Sequence, residues 1–342
     1  MSEQGPTRGA SERGLTRRRL LVGGLAGGAL LLTGGSTALV GRARWPVLQG
    51  ARQVMGTWAH IVLSHPQPQA QQAMEAAFAA LEDVQRRMTR FSPDSEIGRV
   101  NATAGRMLPV SALTAEVVST AVALARASDG RFDPGLGMPE AAWGFYDHRA
   151  PRHLPGGWAR PAPAWRALRL ERRDGVPHLG VADPSVQVDL GGIAKGYGVD
   201  RAIEVLRAAG VEHALVEAGG DLRALGPRPD GTPWRIGVRH PRRPGQVLAV
   251  LPLRDGAVAT SGDYENFFVR DGERYAHLLD ARSGRPARFH QSVSVIGPTA
   301  MLTDALATAA CAAPPAEAQA LLRRTAPGGW LAVDEVGRMV RG

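Results

Sequence analysis

The chain is poor in cysteine, lysine and aromatic residues. Its single cysteine, Cys311, excludes a disulfide within the chain. Cys311 lies among alanines on a predicted helix, where cysteine packs as a small apolar residue. Aromatic residues make up only 5% of the chain, and no basic stripe is interleaved with them. This pattern argues against nucleic-acid binding.

The excess positive charge is concentrated near the N-terminus. The formal net charge is +9, and residues 1–52 carry eight arginines against Glu3 and Glu12, a balance of +6 that leaves +3 for the rest. We therefore expect the remaining arginines to be scattered and solvated.

A basic segment, Thr16–Leu21, precedes an apolar, glycine-rich run to about Val40. This order predicts an export signal, and its arginine pair indicates the twin-arginine route to the periplasm or the outer face of the cytoplasmic membrane. A membrane anchor is the alternative, because a run of about 20 residues can span a bilayer. With no cysteine near this segment, a lipid-anchored mature terminus is excluded. We expect residues 1–45 to be the signal or anchor and residues 46–342 to be one catalytic domain.

Hydrophobic periodicity predicts mixed helices and strands. Helices are predicted at 69–88, 114–128, 193–209 and 299–313, with a small helix and two strands closing the chain. Strands are predicted at 53–64, 165–170, 186–190, 212–218, 234–240, 247–253, 256–260, 273–279 and 291–296. Five prolines predict a surface loop at 149–164. The mixture favours an α+β fold over a doubly wound parallel sheet.

The most informative stretch is Val188–Asp221. A Gly191-Gly192 turn there precedes a helix that carries Lys195, the only lysine in the chain. Glycines beside a helix start let backbone N–H groups and the helix dipole approach a phosphate, which predicts a site for a phosphorylated ligand. A lone lysine among many arginines indicates a position where a compact ammonium fits and a forked guanidinium does not. The alternative is that Lys195 is a simple surface lysine.

Two further groups of residues have side chains suited to metal binding or catalysis. Asp304 and Thr308 are four residues apart on a predicted helix, hence on one face, and both are oxygen ligands suited to Mg²⁺. Alternatively, Thr303 or Asp304 caps this helix and Thr308 bonds back to a carbonyl.

His277 lies on the predicted strand 273–279 and is either a general base or a half-buried, hydrogen-bonded core residue. With Ser261 and Asp280 it has the residue types of a nucleophile triad. No G-x-S-x-G elbow precedes Ser261, which argues against a hydrolase of that kind.

Six ordered segments, from Met55 to about Ala313, resemble the ApbE family of FAD:protein FMN transferases. They are Met55-Gly56-Thr57, Phe91–Asn101, Gly130–Phe145, Asp189–Asp200 with Gly219-Gly220-Asp221, Thr260–Tyr264 with His277–Gly284, and Asp304–Thr308. The resemblance implies a T-fold-like α+β domain. It also implies that FAD is split at its pyrophosphate, FMN is moved onto a Ser or Thr hydroxyl of a target protein, and AMP is released.

The same resemblance implies a set of site residues. Mg²⁺ would bind Asp304, Thr308 and a backbone oxygen of the glycine turn, which we assign to Gly192. Because Asp304 would hold this ion, we count it as a catalytic residue. His277 is our candidate for activating the acceptor hydroxyl. Residues expected to contact FAD or line its cleft are Met55, Asn101, Phe132, Asp133, Asp189, Lys195 and the Leu278 backbone.

Three departures from the family pattern are Gly135 for a common threonine, Met138-Pro139 for a Pro-Leu pair, and Ala281 for a proline.

The expected partners are FAD and an acceptor, either a flavoprotein or a subunit of an extracytoplasmic redox complex. The alternatives are an FAD pyrophosphatase that yields FMN and AMP, a flavin carrier without turnover, and a membrane-tethered scaffold.

Overall fold

A computed structural model describes residues 45–145, 151, 153–156 and 163–342. The predicted export segment lies outside the described residues, apart from its last position, and so does most of the predicted loop at 149–164. Within the described ranges, we find no helix with both the length and the apolar character needed to cross a bilayer.

The described residues form seven α-helices and seventeen strands, with a short 3-10 helix at Ala164–Ala167. The helices are α1 Gln69–Met88, α2 Glu96–Ala102, α3 Ala112–Ala127, α4 Gly137–Trp143, α5 Ala194–Ala208, α6 Ala300–Cys311 and α7 Pro315–Thr325. The strands are β1 Val47–Val54, β2 Thr57–Ser64, β3 Leu108–Pro109, β4 Leu168–Arg173, β5 Val176–Val181, β6 His213–Ala218, β7 Asp221–Leu225, β8 Trp234–Arg239, β9 Val247–Leu253, β10 Gly256–Gly262, β11 Phe267–Arg270, β12 Glu273–Ala276, β13 Leu279–Asp280, β14 Arg285–Pro286, β15 His290–Gly297, β16 Trp330–Asp334 and β17 Met339–Arg341.

The main sheet has eight strands in the order β1-β2-β6-β7-β10-β15-β16-β17. Every neighbouring pair in it is antiparallel. A three-stranded sheet, β3-β5-β4, and three two-stranded pairs complete the strands of the described residues. The predicted α+β fold is confirmed, and the strand pairs of its sheets are antiparallel.

The main sheet is covered on both faces. Alternate residues of β2 and β6, such as Ile61 and Val216, pack against α1 and α5. Residues with the opposite orientation, such as Leu215, pack against the β8–β9 hairpin through Trp234 and Ile236. Because successive side chains of a strand point to opposite faces, β2 and β6 each contribute residues to the cores on both sides of the sheet. Helix α6 is buried along most of its length, and its many alanines permit close approach of its neighbours.

Several predicted elements are wrong in detail. The predicted strand 53–64 is in fact a hairpin, because Met55 and Gly56 adopt positive φ values of 56° and 73° and turn the chain between β1 and β2. Residues 186–190 are not a strand and form only one isolated bridge, between Gln187 and Leu136. Strands β5 and β7 were missed. Helix α1 has the bounds that its periodicity predicts.

Candidate functional site

A cavity of about 540 Å³ opens beside the Gly191-Gly192 turn. Ligand sites typically enclose about 300–1,000 Å³, so this one can accept a large part of a dinucleotide. Of the residues predicted from the sequence, all except Asn101 line it: Met55, Phe132, Asp133, Asp189, Gly192, Lys195, His277, Leu278, Asp304 and Thr308.

Lys195 lies between two buried carboxylates. Its Nζ is 2.7 Å from Asp221 Oδ2 and 3.3 Å from Asp304 Oδ2, and these acidic side chains are 3% and 2% exposed. Burial alone would lower the pKa of Lys195, but attraction by Asp221 and Asp304 outweighs it and raises this pKa. Burial raises the pKa of Asp221, the negative charge of Asp304 adds to that effect, and Lys195 opposes it.

With both carboxylates ionised, one ammonium faces two negative charges. In that state the cluster of Lys195, Asp221 and Asp304 would carry a net charge of −1 on the cavity wall. A buried charge without full compensation is expensive, so this cluster favours the entry of a cation. The alternative interpretation of Lys195 as a simple surface lysine is wrong.

The crossing of α5 and α6 positions Asp304. The Gly196 N–H donates to Asp304 Oδ2 at 3.0 Å. A Cβ atom at Gly196 would lie 2.1 Å from the Ala300 carbonyl oxygen, so a larger residue would force the two helices apart. Asp200, also on α5, accepts hydrogen bonds of 2.8 Å from the N–H groups of Ala300 and Met301, which fixes the first turn of α6.

The helix cap is not Asp304. The N-cap of α6 is Thr299, whose hydroxyl accepts from Leu302 N. The interpretation of Thr303 or Asp304 as the cap is therefore wrong, and Asp304 is left to face the cavity from within the helix.

Thr308 lies one turn beyond Asp304 and meets the glycine turn. A Cβ atom at Gly192 would be 2.9 Å from Thr308 Cγ2 and 3.1 Å from Thr308 Oγ1, so a larger residue there would push the Thr308 side chain away from the turn. The Thr308 hydroxyl also pairs with Ser261 Oγ at 3.3 Å.

One carboxylate, one hydroxyl and the nearby backbone of Gly192 are hard oxygen donors of the kind that hold Mg²⁺ together with waters and substrate phosphates. Within the described part of the chain, no group of three or more His, Cys, Asp and Glu side chains could hold a metal ion. The donor set here is of another kind, because it has a single carboxylate beside a hydroxyl and a backbone oxygen. Such a set leaves coordination positions for waters and substrate phosphates.

Asp189 fixes the glycine turn from the other side. Its Oδ1 accepts a 2.7 Å hydrogen bond from Gly191 N, and its carboxylate forms an ion pair with Arg90. Sequence reasoning missed Arg90, because the contact joins segments about a hundred residues apart and no local spacing signals it.

His277 lies between β12 and β13, so the predicted strand 273–279 is interrupted there. Its backbone N–H donates to the Asn266 carbonyl at 2.9 Å. Burial, with help from the positive charge of Lys195, lowers the pKa of His277 to about 4. Its Nδ1 has no hydrogen-bond partner among the described residues. A neutral imidazole facing the cavity is suited to accept a proton.

The nucleophile triad is not assembled. Ser261 pairs with Thr308, and Asp280 pairs with Arg131 at 2.9 Å and with Ser283 at 2.8 Å. These contacts occupy the side chains that a hydrolase of that type would direct at His277.

Asn101 lies behind the cavity wall. Its carboxamide donates to Val188 O at 2.9 Å and accepts from Val188 N at 2.7 Å, so it holds the segment that leads into Asp189. The Leu278 carbonyl accepts from Ala287 N at 2.8 Å. Asp133 Oδ1 accepts from Gly135 N at 2.8 Å. These contacts set the backbone of the cavity wall.

A second, small cavity of about 40 Å³ shares Thr260 and Glu265 with the large one. Glu217, which is 2% exposed, also lines it and accepts from Gly220 N at 2.8 Å. Burial raises the pKa of Glu217 to about 7. Sequence reasoning missed Glu217, and it missed a role for Asp221, although the Gly219-Gly220-Asp221 segment was part of the family resemblance.

The comparisons with known proteins identify one family. The sequence profile of the ApbE family matches residues 55–330. The FAD:protein FMN transferase of Haemophilus influenzae is 35% identical over 239 residues, which is 67% of this chain and 69% of that protein. The FAD:protein FMN transferase of Vibrio cholerae is 36% identical over 241 residues, with the same coverage.

Solved structures share the fold. The ApbE protein of Thermotoga maritima superimposes with a TM-score of 0.77 at 31% identity, covering 87% of this chain and 97% of that one. The flavinyl transferase ApbE of Pseudomonas stutzeri gives a TM-score of 0.74 at 31% identity, covering 89% and 95%. From its sequence profile, its relatives and its fold, the chain belongs to the ApbE family.

Proposed function

We propose that this protein is an FAD:protein FMN transferase that uses Mg²⁺ to move FMN from FAD onto a Ser or Thr hydroxyl of a target protein and releases AMP. The observation that carries the proposal is the convergence of Lys195, Asp304 and Thr308 on the Gly191-Gly192 turn in one cavity. Splitting a pyrophosphate requires positive charge beside the bridging phosphates, and this arrangement combines the Lys195 ammonium with oxygen donors suited to a divalent cation.

The residues of the cavity have three different roles. Asp304, Thr308 and the Gly192 backbone would hold Mg²⁺, which neutralises charge that develops on the pyrophosphate. Lys195 adds a second positive charge from the same wall. Asp189 and Arg90 hold the glycine turn in place, so that its backbone can approach a phosphate.

His277 receives the proton of the acceptor hydroxyl. The acceptor oxygen forms a bond to the FMN phosphorus, the bond from that phosphorus to the bridging oxygen breaks, and its electron pair leaves with AMP. Because burial lowers the pKa of His277 to about 4, the imidazole is neutral at pH 7 and able to take this proton.

Product analysis tests the proposal against its alternatives. The purified protein is incubated with FAD, Mg²⁺ and a candidate acceptor. A fluorescent flavin band on the denatured acceptor, with one AMP released per flavin, is the expected result. Free FMN with an unmodified acceptor would identify a pyrophosphatase, FAD binding without AMP release would identify a carrier, and absence of flavin binding would favour a scaffold.

We also propose export by the twin-arginine route to the periplasm or the outer face of the membrane, with membrane association through the N-terminal segment. The support is the Thr16–Leu21 segment and the apolar run after it. Replacing Arg17 and Arg18 with lysine should trap the protein in the cytoplasm. Fractionation that finds unchanged export of this variant would contradict the route.

A further inference from the structure

The ammonium of Lys195 and the proposed cation compete for Asp304. Lys195 Nζ is 3.3 Å from Asp304 Oδ2 and 3.4 Å from Asp304 Oδ1. Its contact with Asp221 is shorter, at 2.7 Å. Lys195 thus has its closest charged partner on β7 and only longer contacts to α6.

The two oxygens of Asp304 are not equivalent. Oδ2 accepts the Gly196 N–H at 3.0 Å as well as the lysine contact. For Oδ1, Lys195 at 3.4 Å is the only hydrogen-bond partner among the described residues. Oδ1 is therefore the oxygen most readily released to a cation, while Gly196 keeps the carboxylate in place.

Asp221 is well placed to retain the lysine. It begins β7, where its backbone is in register with Ala218 of β6 and Ala259 of β10 in the middle of the main sheet. Its side chain is 3% exposed. A carboxylate on a central strand has little freedom to move away from Lys195.

We propose that Asp221 is a positioning residue that holds Lys195 away from Asp304, so that a divalent cation and the lysine ammonium can occupy the cavity together. This inference rests on the proposed function for the identity of the cation. Two positive charges within a few ångströms repel each other strongly in a buried site. The carboxylate of Asp221 offsets that repulsion and gives Lys195 a partner when Asp304 turns to the cation.

A double-mutant cycle on Mg²⁺ binding tests the proposal without turnover. Calorimetry in the absence of FAD compares the wild type, Asp221→Asn, Lys195→Met and the double variant. If Asp221 acts through Lys195, Asp221→Asn leaves Asp304 as the carboxylate in ion-pair contact with the lysine and weakens Mg²⁺ binding about tenfold, within the range for directly coupled charges. Lys195→Met should bind Mg²⁺ more tightly than the wild type, because the competing ammonium is gone.

The double variant decides the outcome. We expect the effect of Asp221→Asn to shrink markedly or vanish when Lys195 is already methionine. An equal effect in both backgrounds would show that Asp221 acts on the ion directly and would overturn the proposal, as would no effect in the wild type. Asp255→Asn, at an exposed position, is the matched charge control and should leave Mg²⁺ binding unchanged.

The single lysine offers a second measurement. Lysine labelled with ¹⁵N at the side chain gives one side-chain signal, from Lys195. Mg²⁺ should shift this signal in the wild type by less than in Asp221→Asn, because the ion pair with Asp221 keeps the ammonium in place. An equal shift in both proteins would overturn the proposal. A wild type that binds no Mg²⁺ would instead refute the metal-dependent function itself, along with this inference.

Discussion

At the scale of single residues, the placement of a few charges decides what the cavity can bind. Lys195 is compact enough to contact Asp221 and Asp304 together, whereas the forked guanidinium of arginine needs more room and a different geometry. This explains why lysine occurs here in a chain that otherwise uses arginine as its cation. Replacement of Lys195 by arginine is therefore not conservative in this site.

The pH dependence of transfer should report His277. Its pKa lies at about 4, below the usual value of 6.5, because burial penalises the charged ring. The neutral base is thus present above pH 4 and is lost only as the pH falls through that value. We expect kcat/KM to decline on the acid side near pH 4 rather than near 6.5.

The variant His277→Ala tests the same role of His277 as a general base. It should lower the transfer rate by about 10²-fold or more, the usual contribution of a general base, while FAD binding measured by flavin fluorescence is retained. Full transfer activity in this variant would remove His277 from the mechanism. An acid limb near pH 6.5 in the wild type would contradict the lowered pKa.

Residue types and local spacing allowed much of the site to be predicted. Asp304 and Thr308 are neighbours on one helix face, and Gly191, Gly192 and Lys195 lie close in the chain. Asp221 and Arg90 could not be assigned in this way. Their roles depend on contacts between distant segments, and only the folded chain shows which carboxylate or guanidinium reaches which partner.

At the scale of elements, the site depends on how closely α5 and α6 approach. Asp200 and Gly196 on α5 hold the first turn of α6 and the carboxylate of Asp304. Helical periodicity predicted both helices, but it could not predict their crossing. Likewise, the apolar alternation of residues 53–64 concealed the β1–β2 turn, because Met55 is an unusual residue for a positive φ.

Two glycines on α5 provide a matched test of this crossing. A Cβ atom at Gly196 would meet the backbone oxygen of Ala300 at 2.1 Å, whereas at Gly198 it would meet the side-chain ends of Met55 and Leu81 at 3.0 and 3.2 Å. Flexible side chains can move aside and backbone cannot. We expect Gly196→Ala to destabilise the fold by about 1–3 kcal/mol and to weaken Mg²⁺ binding.

Gly198→Ala should change the free energy of unfolding by less than about 1 kcal/mol, since better helix propensity offsets mild crowding. Chemical denaturation of both variants measures the difference. Equal destabilisation by the two substitutions would contradict the argument that the helix crossing requires Gly196.

At the scale of the whole molecule, an antiparallel sheet brings distant parts of the chain to one cavity. The β1–β2 turn, the β6–β7 turn, the end of β10 and the middle of α6 all contribute to its wall. The sequence predicted the α+β class and most helices, because these follow from local periodicity. The strand order could not be predicted from periodicity, because it depends on pairings between segments far apart in the chain.

The most direct test of the central claim is the mass of an acceptor protein co-expressed with this chain. We expect a gain of one FMN on a serine or threonine of the acceptor with the wild type, and no gain with Asp304→Asn. An unmodified acceptor with the wild type, or equal modification with the variant, would contradict the account.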